Sequence, residues 1–181
     1  MVVFDTSTIV LALDPSAKPP TDENGQVVTN CKERVEHLLD TLNTSKTTIL
    51  IPTPVLAEFL VGVGSNKNDY IDKISKSKNF NWGSFDVKAA IELSLLKDPD
   101  LQSNKKLDAI TTKAKIKFDR QVIAIAKSRG AERIYTDDNG LAECARKNGI
   151  AAVMTWELPV PQKAAQIELN LPRPENENQG K

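Results

Sequence analysis

Acidic side chains in four separate segments are the residues of this sequence best suited to chemistry. They are Asp5 directly after VVF, Glu58 inside VLAEFLVGV, Asp119 ahead of RQVIAIAK, and Asp138 with its neighbour Asp137 in YTDD. Carboxylates held together repel one another and raise each other's pKa values, and a divalent cation removes that penalty. Mg²⁺ or Mn²⁺ suits an all-oxygen site, where it polarises a phosphoryl oxygen and makes water easier to deprotonate. The chemistry that fits such a cluster is the hydrolysis of a phosphodiester.

Each of these acids also has a purely structural interpretation. Asp5 and Asp119 could each cap a helix N-terminus, where Asp is favoured. Asp137 and Asp138 precede Asn-Gly, and Asp-Asn-Gly is a common turn sequence. Glu58 has only Leu, Ala and Phe beside it, and a buried, unpaired carboxylate is costly, so it lies at an edge or faces polar groups and a cation. No single acid is specific, and the prediction depends on all of them together.

Histidine and cysteine are too scarce for most rival chemistries. His37 is the only histidine, and it lies in the helical pattern ERVEHLLDTL, so a surface position is the favoured interpretation. A mechanism that needs two histidines is therefore excluded, and a histidine-rich metal site nearly so. Cys31 and Cys144 form no CxxC pair, which argues against a zinc site or a disulfide framework. Any enzyme chemistry must therefore depend on carboxylates.

Basic residues cluster between Lys105 and Arg133, although the net charge of the chain is zero. Three acids, Asp108, Asp119 and Glu132, oppose nine basic residues there: Lys105, Lys106, Lys113, Lys115, Lys117, Arg120, Lys127, Arg129 and Arg133. Such a stripe can hold a polyphosphate backbone. A solvated helical face explains the same charges, and it is the favoured interpretation of the stripe taken alone.

Strand-like and helix-like segments alternate along the chain. The runs VVF, TTILIPT, NFNWGSF, ERIYT and IAAVMTW predict strands, and amphipathic helical patterns lie between them. One helix is predicted to begin near Thr8 and another at Asp119, the latter after a polar helix and loop over residues 99–115. This alternation predicts a three-layer α/β/α sandwich around a mostly parallel sheet. In such sheets functional groups gather at the carboxyl ends of strands, where Asp5 and Asp137–Asp138 are expected.

The chain is expected to form one domain over residues 1–158, followed by a tail over residues 159–181. Residues 14–30 hold three prolines and a glycine, which predicts a loop insertion. The tail is rich in Pro, Asn, Gln and Glu, a composition that predicts flexibility. No apolar run approaches the ~20 residues of a membrane helix, and no basic-then-apolar signal opens the chain. A cytoplasmic location is the resulting expectation.

Four sequence motifs follow one another in an order that is typical of one nuclease family. VVFDTSTIV is similar to that family's first strand with its Asp, followed two residues later by a small polar residue, Ser7. ILIPTPVLAEFL resembles its second strand, proline-bearing turn and helical Glu, and SFDVKAAIELSLL its alanine-rich middle helix. KIKFDRQVIAIAKSRGAERIYTDD resembles its third acid, helix and closing strand with Thr-x-Asp. Over residues 2–158 the chain thus resembles the PIN-domain nucleases, especially the VapC-like toxins of prokaryotic toxin–antitoxin pairs.

This resemblance implies which acids form the site. The family's first three acids match Asp5, Glu58 and Asp119. The fourth follows a Thr by two positions, so Thr136 indicates Asp138. The segment after Asp119 is one residue longer than expected, so Asp137 stays an alternative. The loop over residues 14–30 is also longer than in compact members of the family.

The resemblance further implies an endoribonuclease that hydrolyses RNA and leaves a 5′-phosphate. The expected ligands of one or two Mg²⁺ or Mn²⁺ ions are Asp5, Asp119, Asp138 and Asp137. Glu58 is expected to bind the metal directly or through water, and either Glu58 or a metal-bound hydroxide would supply the deprotonation of the nucleophile. Ser7 and Thr136 would orient carboxylates or waters, and Lys115, Lys117 and Arg120 would hold the RNA backbone. The implied partners are a cognate antitoxin and a second copy of the chain in a homodimer, with no membrane.

Three other functions remain as alternatives at this point. A non-catalytic PIN-like RNA-binding module in a larger assembly would have an incomplete acid set, whereas all four positions are acidic here. A phospho-receiver or aspartyl phosphatase needs paired acids after the first strand, or Asp-x-Asp, and this chain has Asp5-Thr6-Ser7. A nucleotide-binding enzyme needs GxxxxGK(S/T) or GxGxxG, and neither is present. Catalysis by carboxylates is therefore the favoured hypothesis.

Overall fold

A sheet of five parallel strands is the framework of the protein. In the computed structural model, which describes residues 1–97 and 110–162, the strands are β1 (Val2–Phe4), β2 (Ile49–Pro52), β3 (Phe80–Gly83), β4 (Arg133–Tyr135) and β5 (Ala151–Val153). Their order is β3-β2-β1-β4-β5, and every neighbouring pair is parallel. The chain therefore fills one side of β1 first and then the other, which makes β1 and β4 the pair at which the direction of winding changes.

Helices cover this sheet and complete the predicted three-layer α/β/α sandwich. They are α1 (Thr6–Leu13), α2 (Cys31–Thr44), α3 (Thr53–Gly62), α4 (Lys67–Lys76), α5 (Val87–Ser94), α6 (Ile110–Ser128) and α7 (Asn139–Lys147). Helix α6 packs against α5, α7 and α3, while α1 packs against α2 and α3. Short 3-10 turns at Gly64–Asn66 and Thr155–Glu157 complete the regular elements.

The core lies on the central strands. Val3, Phe4, Ile51 and Ile134 are fully buried, as expected for parallel strands that are covered on both faces. Buried Ile123 and Ile125 from α6 complete this core. Because these apolar runs hold the register of the strands, they also determine which residues leave the sheet together at its carboxyl edge.

The predicted elements are confirmed, but two of the predicted helix starts are wrong. Helix α1 begins at Thr6, directly after Asp5, and not near Thr8. Helix α6 does not begin at Asp119, which lies in its middle. Residues 110–118 include neither Pro nor Gly, so nothing in their backbone chemistry interrupts a helix that begins at Ile110. Of the polar helix and loop predicted over residues 99–115, residues 99–109 lie outside the described residues, and residues 110–115 belong to α6.

The end of the predicted domain is anchored to α2. The guanidinium of Arg34 donates hydrogen bonds to the backbone carbonyls of Trp156 and Leu158, and Leu158 is buried. The proposed tail falls mostly on residues 163–181, which lie outside the described residues. Within the described ranges, no helix is both long enough and apolar enough to cross a membrane.

Gly83→Ala tests the close packing of β3 against α6. A Cβ at Gly83 would lie 2.8 Å from Ile125 Cγ2 and 3.1 Å from Leu50 Cγ, and both neighbours are buried. Overpacking of this kind costs about 1–3 kcal/mol, so the variant should unfold at lower denaturant concentration. Gly62→Ala is the matched control, since nothing lies within 4 Å of its added methyl group. Equal unfolding free energies for the two variants would contradict this packing.

Candidate active site

The site begins where β1 and β4 end. Their register pairs Phe4 with Tyr135, so the next residues, Asp5 and Thr136, leave the sheet side by side. The backbone amide of Asp5 donates to the Tyr135 carbonyl at 3.0 Å, which extends the pairing to this point. In parallel α/β sheets, the crevice beyond the strand ends where the winding direction changes is the usual position of a functional site.

One threonine hydroxyl connects two of the acids. Thr136 Oγ1 donates to Asp5 Oδ2 at 2.8 Å and accepts from the Asp138 backbone amide at 3.0 Å. Ser7 Oγ accepts from the neighbouring Asp137 amide at 3.1 Å. Both hydroxyl residues therefore hold the end of β4 against the start of α1, which keeps Asp5 and Asp138 in fixed relative positions.

Asp5 occupies the N-cap position of α1, yet its side chain makes no capping hydrogen bond. The carboxylate points to Thr136 and is 7% exposed. Burial raises the pKa of Asp5 to about 6, the Thr136 hydroxyl and the Thr6 backbone oppose this shift, and the charges of Glu58 and Asp138 add to it. Helix capping therefore does not explain this acid.

Asp138 does cap a helix, but with only one of its oxygens. Oδ1 accepts from the backbone amides of Gly140 at 2.8 Å and Leu141 at 3.1 Å, the geometry of an N-cap for α7. Oδ2 faces Lys115 Nζ at 2.5 Å. Although burial alone raises the pKa of Asp138, the hydrogen bonds from Lys115 and the two amides lower it below its usual value. Asp138 therefore remains a carboxylate.

Asp137 is held by a different partner. Its two oxygens accept from the backbone amide and the hydroxyl of Thr155, each at 2.7 Å. Thr155 is buried and opens the 3-10 turn after β5. Asp137 thus fastens the chain after β5 to the end of β4, while its neighbour Asp138 faces the lysine.

Glu58 reaches the site from α3 and is exposed at its rim. The Thr6 hydroxyl donates a short hydrogen bond to Glu58 Oε2. The apolar neighbours of Glu58 are accounted for by the helix itself, because Val55 and Phe59 are buried beneath it. The structure places Glu58 at an exposed edge where its carboxylate also faces polar groups.

Asp119 projects from the middle of α6 and is partly buried. Burial raises the pKa of Asp119 to about 7, and Asp138, Asp5 and Glu58 raise it further while Lys115 lowers it. Within the described part of the chain, no side-chain hydrogen bond reaches this carboxylate. An acid in a helix interior with a disfavoured charge has no evident structural purpose.

These side chains share one open pocket with a cavity volume of about 640 Å³. Its walls bring together residues from the ends of β1 and β4 and from α1, α3 and α6: Asp5, Thr6, Ser7, Glu58, Ala114, Lys115, Phe118, Asp119, Asp137 and Asp138. All four predicted acids are present, together with Ser7 and the alternative Asp137.

The basic residues counted between Lys105 and Arg133 do not form one exposed face in the part of the chain that the structure describes. Lys115 lies inside the pocket and Lys117 is exposed, whereas Arg120 is only 8% exposed. Farther along the chain, Lys127 and Arg129 form ion pairs with Glu92 and Asp86 of the α5 region, at 3.7 and 3.0 Å. Lys105 and Lys106 lie outside the described residues. The charge stripe of the sequence is therefore dispersed in the structure.

The donor set fits an oxygen-preferring cation in its chemistry. Four aspartates and a glutamate line one pocket, and two of the aspartates are disfavoured as anions unless positive charge is nearby. Lys115 supplies one such charge. Across residues 1–97 and 110–162, no three acidic, histidine or cysteine side chains are drawn together tightly enough to hold an ion as they stand. The fit is therefore one of charge and ligand type, without a preformed cage.

Three contacts of this site are not evident from the sequence. They are the hydrogen bond of Thr6 to Glu58, the two hydrogen bonds of Thr155 to Asp137, and the ion pair of Lys115 with Asp138. For the last, the sequence signals only that Lys115 lies near the site, because Lys115 and Asp119 are four residues apart and share a helix face once α6 is extended.

Comparison with known proteins supports the fold. No protein-family model and no curated protein matches the chain. Among solved structures, VapBC2 from Rickettsia felis bound to a promoter DNA fragment matches with TM-score 0.54 and 16% identity, over 85% of this chain and 98% of that chain. VapC20 from Mycobacterium tuberculosis, described as a sarcin-ricin loop cleaving toxin, matches with TM-score 0.50 and 13% identity, over 79% and 94%.

The chain has a VapC-like fold. This confirms the PIN-like architecture that the four sequence motifs imply, and the low identity limits the conclusion to architecture.

Stability of this VapC-like domain without metal should fall as pH rises from 5 to 8. The folded-state pKa values of Asp5 and Asp119 are raised, so the folded protein keeps protons that the unfolded chain has released. That stabilisation is complete below about pH 4 and is lost as the pH passes through about 6 to 7. Asp119→Asn should flatten the profile and raise the unfolding free energy at pH 8 by on the order of 1 kcal/mol.

Urea unfolding in EDTA at several pH values measures this effect. Asp72→Asn is the matched control, because Asp72 is exposed on α4 and pairs only with exposed Lys76. Profiles of equal slope for Asp119→Asn and the wild type would show that Asp119 carries no electrostatic penalty.

Proposed function

We propose that the protein is a metal-dependent endoribonuclease that hydrolyses RNA phosphodiester bonds. The observation that carries the proposal is the meeting of four acids from distant segments in one open pocket, two of them with strongly raised pKa values. A fold needs no such arrangement, because mutual repulsion of carboxylates destabilises it. A non-catalytic RNA-binding module would not need these acids at all.

The metal would be held by Asp5, Asp119 and Asp138, with Glu58 acting directly or through water, and Asp137 as an alternative ligand. When bound, Mg²⁺ or Mn²⁺ supplies Lewis-acid chemistry that polarises a phosphoryl oxygen and makes water easier to deprotonate. Asp138 is preferred to Asp137 as the metal ligand because Thr155 holds both Asp137 oxygens, whereas the partner of Asp138 Oδ2 is the exposed side chain of Lys115.

The chain's own groups divide the remaining work. Glu58 stands at the solvent rim and takes a proton from the attacking water, with Thr6 holding its carboxylate in place. Water attacks the phosphorus in line as the P–O3′ bond breaks, and the departing 3′-oxygen takes up a proton to become a hydroxyl. The other product carries a 5′-phosphate. Thr136 keeps Asp5 and Asp138 oriented, and Ser7 holds the adjacent backbone. Lys117 is exposed on α6 and would hold the RNA backbone.

Asp119→Asn should abolish metal-dependent RNA cleavage while the fold survives. The substitution keeps the size of the side chain and removes the charge that holds the cation. Asp5→Asn should act in the same way, and Asp72→Asn, outside the pocket, should cleave like the wild type. Cleavage of a labelled RNA in Mg²⁺, Mn²⁺ or EDTA is the measurement, with circular dichroism to verify folding. Wild-type cleavage by purified Asp119→Asn would refute the assignment.

The VapC-like fold also supports a role as the toxin of a toxin–antitoxin pair. VapBC2, whose fold this chain shares, is a complex bound to promoter DNA, and VapC20 is described as a toxin. By this likeness the chain would pair with a cognate antitoxin and form a homodimer.

Expression of the wild-type chain in a bacterial host should therefore arrest growth. Asp5→Asn should relieve the arrest, because it removes cleavage while leaving the protein present. If an adjacent gene encodes the antitoxin, its co-expression should restore growth of the host that expresses the wild-type chain. Equal toxicity of the wild type and Asp5→Asn at matched protein levels would contradict a nuclease toxin.

A further inference from the structure

Lys115 pairs with the carboxylate oxygen of Asp138 that does not cap α7. Asp138 Oδ1 is committed to the amides of Gly140 and Leu141, which cap α7. Oδ2 is paired with Lys115 Nζ at 2.5 Å. A divalent ion that binds Asp138 therefore meets an ammonium group already in its place.

The position of Lys115 on α6 directs it into the acids. Lys115 stands four residues before Asp119, so both side chains project from one face of the helix into the same pocket. Asp138, Asp119 and Asp5 all act electrostatically on its ammonium group. The lysine thus neutralises part of a shared negative field and not the charge of one partner alone.

The same side chain is free to leave. Its relative exposure is 60%, against 26% for its partner Asp138. Lysine carries its charge on a flexible four-carbon stem, so the ammonium group can move into solvent without a backbone change.

We propose that Lys115 is a built-in counter-cation of the acidic pocket, which occupies Asp138 in the metal-free protein and is displaced when a divalent cation binds. This inference rests on the proposed function only in that the pocket binds such a cation. It assigns to Lys115 a role different from holding the RNA backbone: Lys115 sets the metal affinity and keeps the empty pocket folded.

The competition follows from charge and geometry. One oxygen cannot keep an ammonium group at 2.5 Å and also bind a divalent ion, since the two like charges repel. Every divalent ion that binds Asp138 Oδ2 must then break the ion pair between Lys115 and Asp138. Removing the lysine should therefore strengthen metal binding, whereas removing an RNA-binding lysine should weaken RNA binding and leave metal binding unchanged.

The test is the affinity for Mn²⁺ alone, measured by calorimetric titration of the full chain at pH 8. Lys115→Met should bind Mn²⁺ about tenfold more tightly than the wild type. Lys117→Met is the matched control, because Lys117 lies on the same helix but is not part of the pocket wall, and it should bind like the wild type. Lys115→Gln, with a shorter polar side chain, should repeat the result. Equal or weaker Mn²⁺ binding by Lys115→Met would overturn the proposal.

A second measurement needs no metal. In EDTA, Lys115→Met should melt at a lower temperature than the wild type, because the acids lose their counter-charge. In an Asp138→Asn background, which keeps the helix cap, the same lysine substitution should have a much smaller effect. If Lys115→Met lowers the melting temperature as much in the Asp138→Asn background as in the wild type, the proposal is also overturned.

These results separate the two hypotheses. If the wild type cleaves RNA in Mn²⁺ but Lys115→Met binds Mn²⁺ no more tightly, the role of Lys115 fails and the nuclease survives. If Lys115→Met binds more tightly but no variant cleaves RNA, the nuclease fails and the counter-cation survives. If neither protein binds Mn²⁺, both fail.

Discussion

The parallel pairing of β1 with β4 is the constraint on which the site depends. Its register places Asp5 beside Thr136 at the carboxyl edge, and the Thr136 hydroxyl then joins Asp5 to the backbone of Asp138. Phe4 and Ile134 are fully buried, and a slip of one residue would turn both toward the wrong face. The apolar core therefore positions the acids, although none of its side chains touches a substrate.

The fold gathers negative charge at this edge and compensates only part of it. Two backbone amides and Lys115 stabilise the Asp138 carboxylate. The Thr136 hydroxyl offsets part of the rise in the pKa of Asp5 that burial causes. Asp119 keeps a raised pKa of about 7, despite the opposing charge of Lys115. What remains is a pocket that is least stable when empty and fully ionised. Such a pocket favours a cation, and its instability is the physical link between the fold and the proposed chemistry.

The sequence was sufficient for the order of elements, because that order depends on local patterns. It also named four acids that the structure brings into one pocket, and their role as a site stays a prediction. Buried parallel strands are short apolar runs, and Asp5 and Asp138 stand just after two of them. The predicted start of α6 was wrong, because Asp119 looks like a helix cap when the residues before it are assumed to form a loop. The distinct partners of Asp137 and Asp138 could not be predicted either. They depend on where Thr155 and Lys115 lie in space, at 18 residues and more along the chain.

The most direct test of the central claim is an anomalous difference map from crystals grown with Mn²⁺. The claim is that Asp5, Asp119 and Asp138 form one cation site with Glu58 at its rim. It predicts a single strong peak, or two adjacent peaks, among those carboxylates, and Lys115 Nζ no longer paired with Asp138 Oδ2. A map without a peak there, at a Mn²⁺ concentration that supports RNA cleavage in solution, would contradict the account.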